Sequence, residues 1–398
     1  MVRETAISCY LFIFKCVFAI CKLAPLKDKT TFVVSFGDNS KFIYEEMRRQ
    51  EIQDDVVFLC KGKSINQFTV YKGVTLIAFE SLNVFDWVKS IYHLATSKHI
   101  FVDNYYGFLA VTNFKETVEC IQLWHATGAI KKFGLQDQSV KDRSEKALQR
   151  FLMVYNRFDK VVVGSEIMAS IFKAAFSLGD EKILRTGIPR TDFFYDEGKK
   201  QNSVQKLISE NKLLQEKKVI LYAPTYRDHE LAQFNLQLDL ENMKTELGED
   251  HILILRLHPA VKVTEDYAYL YPNFLFDYSS SHYEINDLLL ISDYLITDYS
   301  SIPYEYSLLK KPMIFFTYDI EQYKIKRGIW EGFDENLPGP IVVDTKSIIE
   351  VIKKGHFDYK LINEYAEKWN KYSNGQSSFN LIRYMFGQKS VVNRKLGQ

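Results

Sequence analysis

Short apolar runs recur along nearly the whole chain, most of them separated by stretches whose apolar residues have helical spacing. In the first half the runs fall at residues 31–35, 56–60, 75–78, 99–103, 117–123 and 161–163, with helical patterns at 42–49 and 167–176. A second series follows residue 218, at 219–223, 252–257, 274–276, 294–297, 313–316 and 341–343. Runs this short, apolar throughout rather than alternating, read as strands covered on both faces, with helices serving as crossovers of parallel sheets. Two series in tandem predict an α/β chain of two Rossmann-like domains facing a central cleft, and 398 residues are enough for two cores. The expected boundaries are 1–28 for an N-terminal segment, 29–195 for the first domain and 196–398 for the second. The polar stretch 196–206, with Gly198 and with Val204 its only apolar residue, reads as the linker. The polar tail, 390–398, is expected to fray.

Charge excludes one class of partner. With 51 basic and 50 acidic residues the net charge is +1, so no broad basic field advertises nucleic acid, and any anion site must be local. The five cysteines, Cys9, Cys16, Cys21, Cys60 and Cys120, are scattered and odd in number, with no CxxC and no zinc-like spacing. They read as small apolar residues of a protein in a reducing compartment. No metal and no cofactor is expected.

Residues 6–23 are mostly apolar and stop before Pro25. Ala19 and Ala24 make a poor cleavage site for a secretory signal. A membrane span needs about 20 clean apolar residues, and Lys15 interrupts the run while Lys22 crowds its end. The favoured reading is an amphipathic helix lying on a membrane, with Ser8, Lys15 and Lys22 on one stripe and Tyr10, Leu11, Phe14, Val17 and Phe18 as the apolar surface. The alternative is a helix packed on the protein's own core.

In open α/β sheets, ligands bind beyond the C-terminal ends of the strands, so strand-end residues are the ones to weigh. After the run ending at Leu123 come Trp124 and His125, then Gly128, Lys131 and Lys132. A histidine there can act as general base and the lysines can offset anionic charge; the bland reading is a structural histidine. Arg190, in Gly187-Ile188-Pro189-Arg190-Thr191-Asp192, either contacts phosphate or pairs with Asp192 at the domain boundary. Thr225 and Arg227 follow the strand at 219–223; Thr225 offers a hydroxyl and Arg227 a bidentate phosphate fork, against the alternative of a surface pair with Asp228. His258, ahead of Pro259, ends another strand and can hydrogen-bond a phosphate oxygen or leaving group. Finally, Thr297-Asp298-Tyr299-Ser300-Ser301 joins a strand to a helix that accepts Pro303 in its first turn. Adjacent hydroxyls and unpaired N–H groups at a helix start suit a phosphate; an ordinary serine cap is the competing reading. Glu305, one turn in, is placed to accept hydrogen bonds from ribose hydroxyls.

Taken in order, these motifs resemble the CDP-glycerol:glycerophosphotransferases of teichoic acid synthesis. The resemblance rests on Trp124-His125 with Lys131-Lys132-Phe133-Gly134, on Gly187 to Asp192, on Ala223 to Arg227, on His258-Pro259 and on Ile296 to Ser301. It continues through Lys311-Pro312, Tyr318-Asp319, Tyr323 and Arg327-Gly328. The chain is most similar to the short primase type: Ala126 stands where polymerases commonly have the glycine of Trp-His-Gly, which favours a single transfer over polymerisation.

The resemblance implies a GT-B-like fold and a monotopic protein on the cytoplasmic face of the cell membrane. Its implied donor is CDP-glycerol, and its implied acceptor is N-acetylmannosaminyl-N-acetylglucosamine on undecaprenyl diphosphate. His125 and His258 match the family's two important histidines, and Ser300 and Ser301 its donor-phosphate serines. In that scheme His125 is the base, His258 stabilises or protonates the leaving CMP, and Thr225, Arg227, Thr297, Asp298, Glu305, Lys131, Lys132 and Arg190 complete the substrate-binding set. CDP-ribitol or another CDP-alditol as donor, a nucleotide-sugar glycosyltransferase and a non-enzymatic binding protein are the rival readings.

Overall fold

A computed structural model of the chain describes residues 2–227, 234–258, 261, 263–330 and 337–395. Asp228 and Pro259 therefore lie outside the described residues. The expected alternation is present. It begins with α1 (Val2–Cys21), β1 (Lys27–Val34), α2 (Asp38–Arg49), β2 (Asp55–Lys61), β3 (Thr75–Phe79), α3 (Val84–Thr96) and β4 (Ser97–Val102). β5 (Glu119–Gln122), α4 (Glu145–Tyr155), β6 (Lys160–Val162), α5 (Glu166–Phe176) and β7 (Ile183–Leu184) follow. Among the described residues these strands form one parallel sheet in the order β3-β2-β1-β4-β5-β6-β7. Its core is built from the residues that made the apolar runs legible, among them Phe32, Val34, Phe58, Phe101 and Ile121, all buried.

The second series is α6 (Glu197–Glu210), α7 (Leu213–Glu216), β8 (Lys218–Ala223), α8 (Leu240–Leu247), β9 (His251–Leu255), α9 (Tyr267–Leu270), β10 (Leu275–Asp277) and α10 (Ile285–Ile291). It continues with β11 (Tyr294–Thr297), α11 (Ile302–Tyr306), β12 (Met313–Phe316), α12 (Ile320–Arg327), β13 (Ile341–Val342), α13 (Thr345–Lys354) and α14 (Tyr359–Trp369). The described strands pair in parallel in the order β10-β9-β8-β11-β12-β13. The chain ends in α15 (Ser377–Lys395).

By contacts the chain divides into two units. Unit 1 is Met1–Ala126, Phe133–Asp192 and Lys371–Gln398; unit 2 is Thr127–Lys132 and Phe193–Asn370. The division is not colinear with the expected boundaries. α15 belongs to the first unit, where Leu381, Ile382, Met385 and Phe386 join the core under β1 and β2. A short piece after His125 belongs to the second. The stretch expected as a linker is instead the start of α6: Asp196 caps it by accepting the Lys199 N–H at 3.0 Å, and its apolar side is completed by buried Leu207, just past the polar run. The tail expected to fray continues as α15 to Lys395.

α1 is helical as expected, but its faces are exchanged. Leu11, Phe14 and Phe18, expected to face lipid, are buried on unit 1: Phe14 packs on Trp87 of α3 at 5.8 Å and on Phe108 at 5.2 Å, and Phe18 on Phe114 at 5.6 Å. The opposite side leaves Phe12, Ile13 and Ile20 exposed, along with Cys9 and Cys16, and Leu23 in the turn after the helix is exposed too. Cys60 and Cys120 are buried, whereas Cys9 and Cys16 of α1 are exposed and Cys21 is partly so. Glu4–Cys21 is long and apolar enough to cross a membrane by length and composition.

Candidate active site

In each sheet the strand order reverses once, between β1 and β4 in unit 1 and between β8 and β11 in unit 2. Loops on either side of such a reversal diverge and leave room for a ligand beyond the strand ends. Both reversals are built the same way, with an aspartate directly after the second strand gripping the backbone after the first.

In unit 1 that residue is Asp103. Its buried carboxylate accepts the N–H groups of Ser35 (2.9 Å), Phe36 (2.8 Å) and Gly37 (3.0 Å) and the Tyr106 hydroxyl (2.8 Å). Burial pushes its pKa up in spite of these donors. The turn so fixed presents the Phe36 ring to His125, stacked at 4.0 Å between centroids. Trp124 stacks on the same imidazole at 4.5 Å and itself adopts a left-handed backbone, φ 57°. That is an uncommon conformation for a bulky residue. The Asn39 amide, which donates to the Trp124 carbonyl at 3.0 Å, and the rings of Phe133, Phe172 and Phe176 hold it there.

Arg190 completes this support. Its guanidinium donates to the His125 carbonyl at 2.9 Å and pairs with Asp38 at 3.3 Å, not with Asp192. Asp192 instead accepts the N–H groups of Ser377 and Ser378 at the start of α15. Burial, and secondarily the Arg190 charge, lower the His125 pKa to about 4 against an opposing hydrogen bond to the Asp103 backbone. The imidazole is therefore neutral at pH 7, and its buried Nδ1 has no partner among the described residues. It can accept a proton.

In unit 2 the gripping residue is Asp298, after β11. It accepts the N–H of Thr225, after β8, at 2.8 Å and that of Tyr299 at 2.6 Å, and it pairs with Arg227 at 3.0 Å. Arg227 also forks onto Asp319 through Nε at 2.8 Å and Nη2 at 2.9 Å, and donates to the Thr225 carbonyl. The rings of Tyr299, Tyr318 and Tyr323 lie 4.9–5.5 Å from its guanidinium carbon. Burial works against the charge, but Asp319 and Asp298 outweigh it and raise the pKa further. Arg227 is thus not the open phosphate fork expected from its position: two carboxylates reach it first.

Two further expectations change for the same reason. The Thr297 hydroxyl is fully buried and donates to the Ala223 carbonyl at 2.7 Å, so it ties β11 to β8. Glu305, 2% exposed, accepts the Thr127 hydroxyl at 2.5 Å, which removes it from the ribose role. Asp298 likewise shapes the turn from inside rather than facing a ligand.

Ser300, Ser301, Thr225, His258 and Lys131 remain as candidate ligand contacts. α11 is only five residues long, so its dipole adds little at the Ser300-Ser301 turn. Ser300 Oγ accepts the Ile302 N–H at 3.2 Å, and the Ser301 hydroxyl makes no capping bond. Thr225 Oγ1 is buried without a partner among the described residues, as is Thr317 Oγ1 at the end of β12. Lys131 lies over Tyr323 at 5.5 Å, and Lys132 over Trp330 at 5.9 Å. His258, exposed and 4.6 Å from the Tyr226 ring, has its pKa lowered by partial desolvation and by the charges of Lys131 and Arg256. Sequence reasoning gave no role to Phe36, Asn39, Asp103, Tyr299, Thr317 or Asp319. The rule that singled out the histidines, a polar residue directly after an apolar run, also picks out Asp103.

Comparison with known proteins agrees with the motifs. The family model described as CDP-Glycerol:Poly(glycerophosphate) glycerophosphotransferase matches residues 16–387. The teichoic acid glycerol-phosphate primase of Bacillus subtilis (strain 168) is 35% identical over 384 residues, covering 96% of this chain and 98% of its own. The teichoic acid ribitol-phosphate primase of Bacillus spizizenii (strain ATCC 23059 / NRRL B-14472 / W23) is 32% identical over 368 residues, covering 89% and 90%. Among solved structures, the wall teichoic acid polymerase TagF, as a histidine-to-asparagine variant soaked with CDPG, superposes with a TM-score of 0.78 at 26% identity over 99% of each chain. The chain belongs to the CDP-glycerol:poly(glycerophosphate) glycerophosphotransferase family.

Proposed function

We propose that this protein is a glycerol-phosphate primase, transferring one glycerol phosphate from CDP-glycerol to the disaccharide carried on undecaprenyl diphosphate. The observation that carries the reading is full-length similarity to a primase of that name, at 35% identity over 96% of this chain and 98% of the relative. A hydroxyl oxygen of the acceptor attacks the phosphorus that bears glycerol. The bond from that phosphorus to the bridging oxygen breaks, and CMP leaves with the oxygen. The hydroxyl proton goes to His125, whose neutral imidazole suits that task. CMP departs as a stable phosphate anion that needs charge stabilisation more than a proton. A neutral His258 donating a hydrogen bond, with Lys131 beside it, supplies this. Ser300, Ser301 and Thr225 hold the diphosphate, with Lys132 a further cation, and Arg190 fixes the His125 loop.

The test is CMP release by purified protein given CDP-glycerol and lipid-linked acceptor. His125→Ala is expected to lower turnover more than about 100-fold with the fold intact; unchanged turnover removes His125 from the chemistry. The pH profile gives an independent check. A base with a pKa of about 4 is lost only as pH falls through that value, so the acid limb of kcat/KM lies well below the ordinary 6.5. Similarity to a ribitol-phosphate primase favours one second reading, CDP-ribitol as donor. Offering both CDP-alditols side by side decides between them, and release of a nucleoside diphosphate from a nucleotide sugar would point to a glycosyltransferase.

The protein is further proposed to sit peripherally on the cytoplasmic face of the membrane. Supporting this is the apolar outer face of α1, Phe12, Ile13 and Ile20, continued by exposed Leu23 in the turn after it, together with exposed Val84 and Phe85 on α3, which packs on α1.

A further inference from the structure

The chain leaves unit 1 after Ala126, gives Thr127–Lys132 to unit 2, and returns to unit 1 at Phe133. His125 thus lies two residues before a strap that is anchored in the other unit. The anchors are specific. Thr127 Oγ1 donates to Glu305 Oε1 at 2.5 Å, with both residues buried. Gly128 lies flat against Tyr304: a Cβ added there would fall 2.3 Å from a ring carbon, so only glycine fits. Trp330 N–H donates to the Ile130 carbonyl at 2.9 Å and Lys132 N–H to the Gly328 carbonyl at 3.1 Å, about an antiparallel bridge between Lys131 and Ile329.

Tyr304 and Glu305 both belong to α11, the helix that opens at Ser300 and Ser301. One short helix therefore presents the serines at its start and grips the strap one turn later. A carboxyl at 2% exposure is costly in a packed helix unless a partner holds it, and for packing alone an apolar residue would serve. The polar choice has a use if the position of Thr127 must be fixed in direction as well as in distance.

We propose that Glu305 is a positioning residue for the transfer reaction. By holding Thr127 it fixes the chain at the point where it leaves unit 1, two residues after His125. The loop that carries His125 is in this way tethered, through the chain, at its C-terminal end. The inference rests on the roles given to His125 and the serines above, and it gives Glu305 no contact with the donor.

Thr127→Val removes the hydroxyl and little else; Thr127→Ser keeps it; Glu305→Gln alters the other end of the bond. Thr127→Val and Glu305→Gln are each expected to lower kcat about 10- to 100-fold. The equilibrium dissociation constant for CDP-glycerol, measured without acceptor, should stay within about threefold of wild type. Thr127→Ser should keep kcat within about threefold. Changing the two ends of one bond separately guards against a folding defect at either, and circular dichroism on each variant checks for one. Donor affinity falling in step with kcat would put Glu305 in the donor site and overturn the inference. Wild-type kcat in Thr127→Val, or no rescue by serine, would also overturn it. A wild-type protein that releases no CMP from CDP-glycerol and acceptor overturns the functional reading and this inference together, and the same assay reveals it.

Discussion

A guanidinium held by two carboxylates under three tyrosine rings is a structural component, and Arg227 is expected to behave as one. Its side chain is 6% exposed, against 3% for Asp298 and 17% for Asp319. Removing one member of a buried charged cluster leaves the others without compensation. Arg227→Met should therefore destabilise unit 2 by about 3 kcal/mol in denaturant unfolding. Arg227→Lys should recover little of this, because a single ammonium cannot replace a planar fork. A residue whose task was to bind substrate would instead leave stability unchanged or raised on substitution. The local sequence pointed the other way, because Arg227 follows a strand and has Asp228 beside it. Its real partners lie 71 and 92 positions along the chain, and no local pattern reports a pairing at that separation. His125 and His258 were legible because their signal is local: a histidine directly after an apolar run.

At the scale of elements, the strands were the most legible part, since a strand covered on both faces is apolar at every position. β11 and β12 match the expected runs, 294–297 and 313–316, at both ends. Helix faces were harder. Both sides of α1 carry apolar residues, and hydropathy alone does not tell which side packs on protein. The cationic stripe drew attention to Leu11, Phe14 and Phe18, yet those are the residues unit 1 buries. If the outer face meets lipid, Phe12→Glu with Ile20→Glu should weaken binding to anionic liposomes by an order of magnitude or more while the protein stays folded. Phe14→Glu, which places a charge at a position with 0% exposure, should destabilise unit 1 itself. Co-sedimentation and thermal unfolding on the two variants separate these effects. Undiminished liposome binding by the Phe12, Ile20 double variant would move the membrane surface elsewhere.

For the whole molecule, the tandem α/β plan was readable from the order of the runs, but which helix completes which sheet was not. Periodicity records that α15 has an apolar face and is silent on where that face goes. The fold returns it to unit 1 over a long sequence separation, and three contacts secure the return. Gly187, at φ 86°, lets the chain after β7 pass so close to the Tyr372 carbonyl that a Cβ would lie 2.3 Å away. Ser373 Oγ accepts the Ile188 N–H at 3.0 Å. Asp192 receives the first two N–H groups of α15 at 2.9 and 2.8 Å, capping a helix that begins 185 residues later. This last contact yields graded predictions. Asp192→Ala removes a helix cap and should lower stability by about 1–2 kcal/mol, with Asp192→Asn losing less because the amide oxygen still accepts. Ending the chain at Asn370 takes Leu381, Ile382, Met385 and Phe386 out of the unit 1 core. At about 2 kcal/mol for each buried side chain the loss approaches the whole stability of an ordinary domain. Unit 1 should then fail to fold even though every strand of its sheet remains. Limited proteolysis of the truncated protein should find cleavage throughout residues 27–184, the span of that sheet, where the full-length protein resists it. Equal resistance of the two would mean that α15 is an accessory to the first unit and not part of its core.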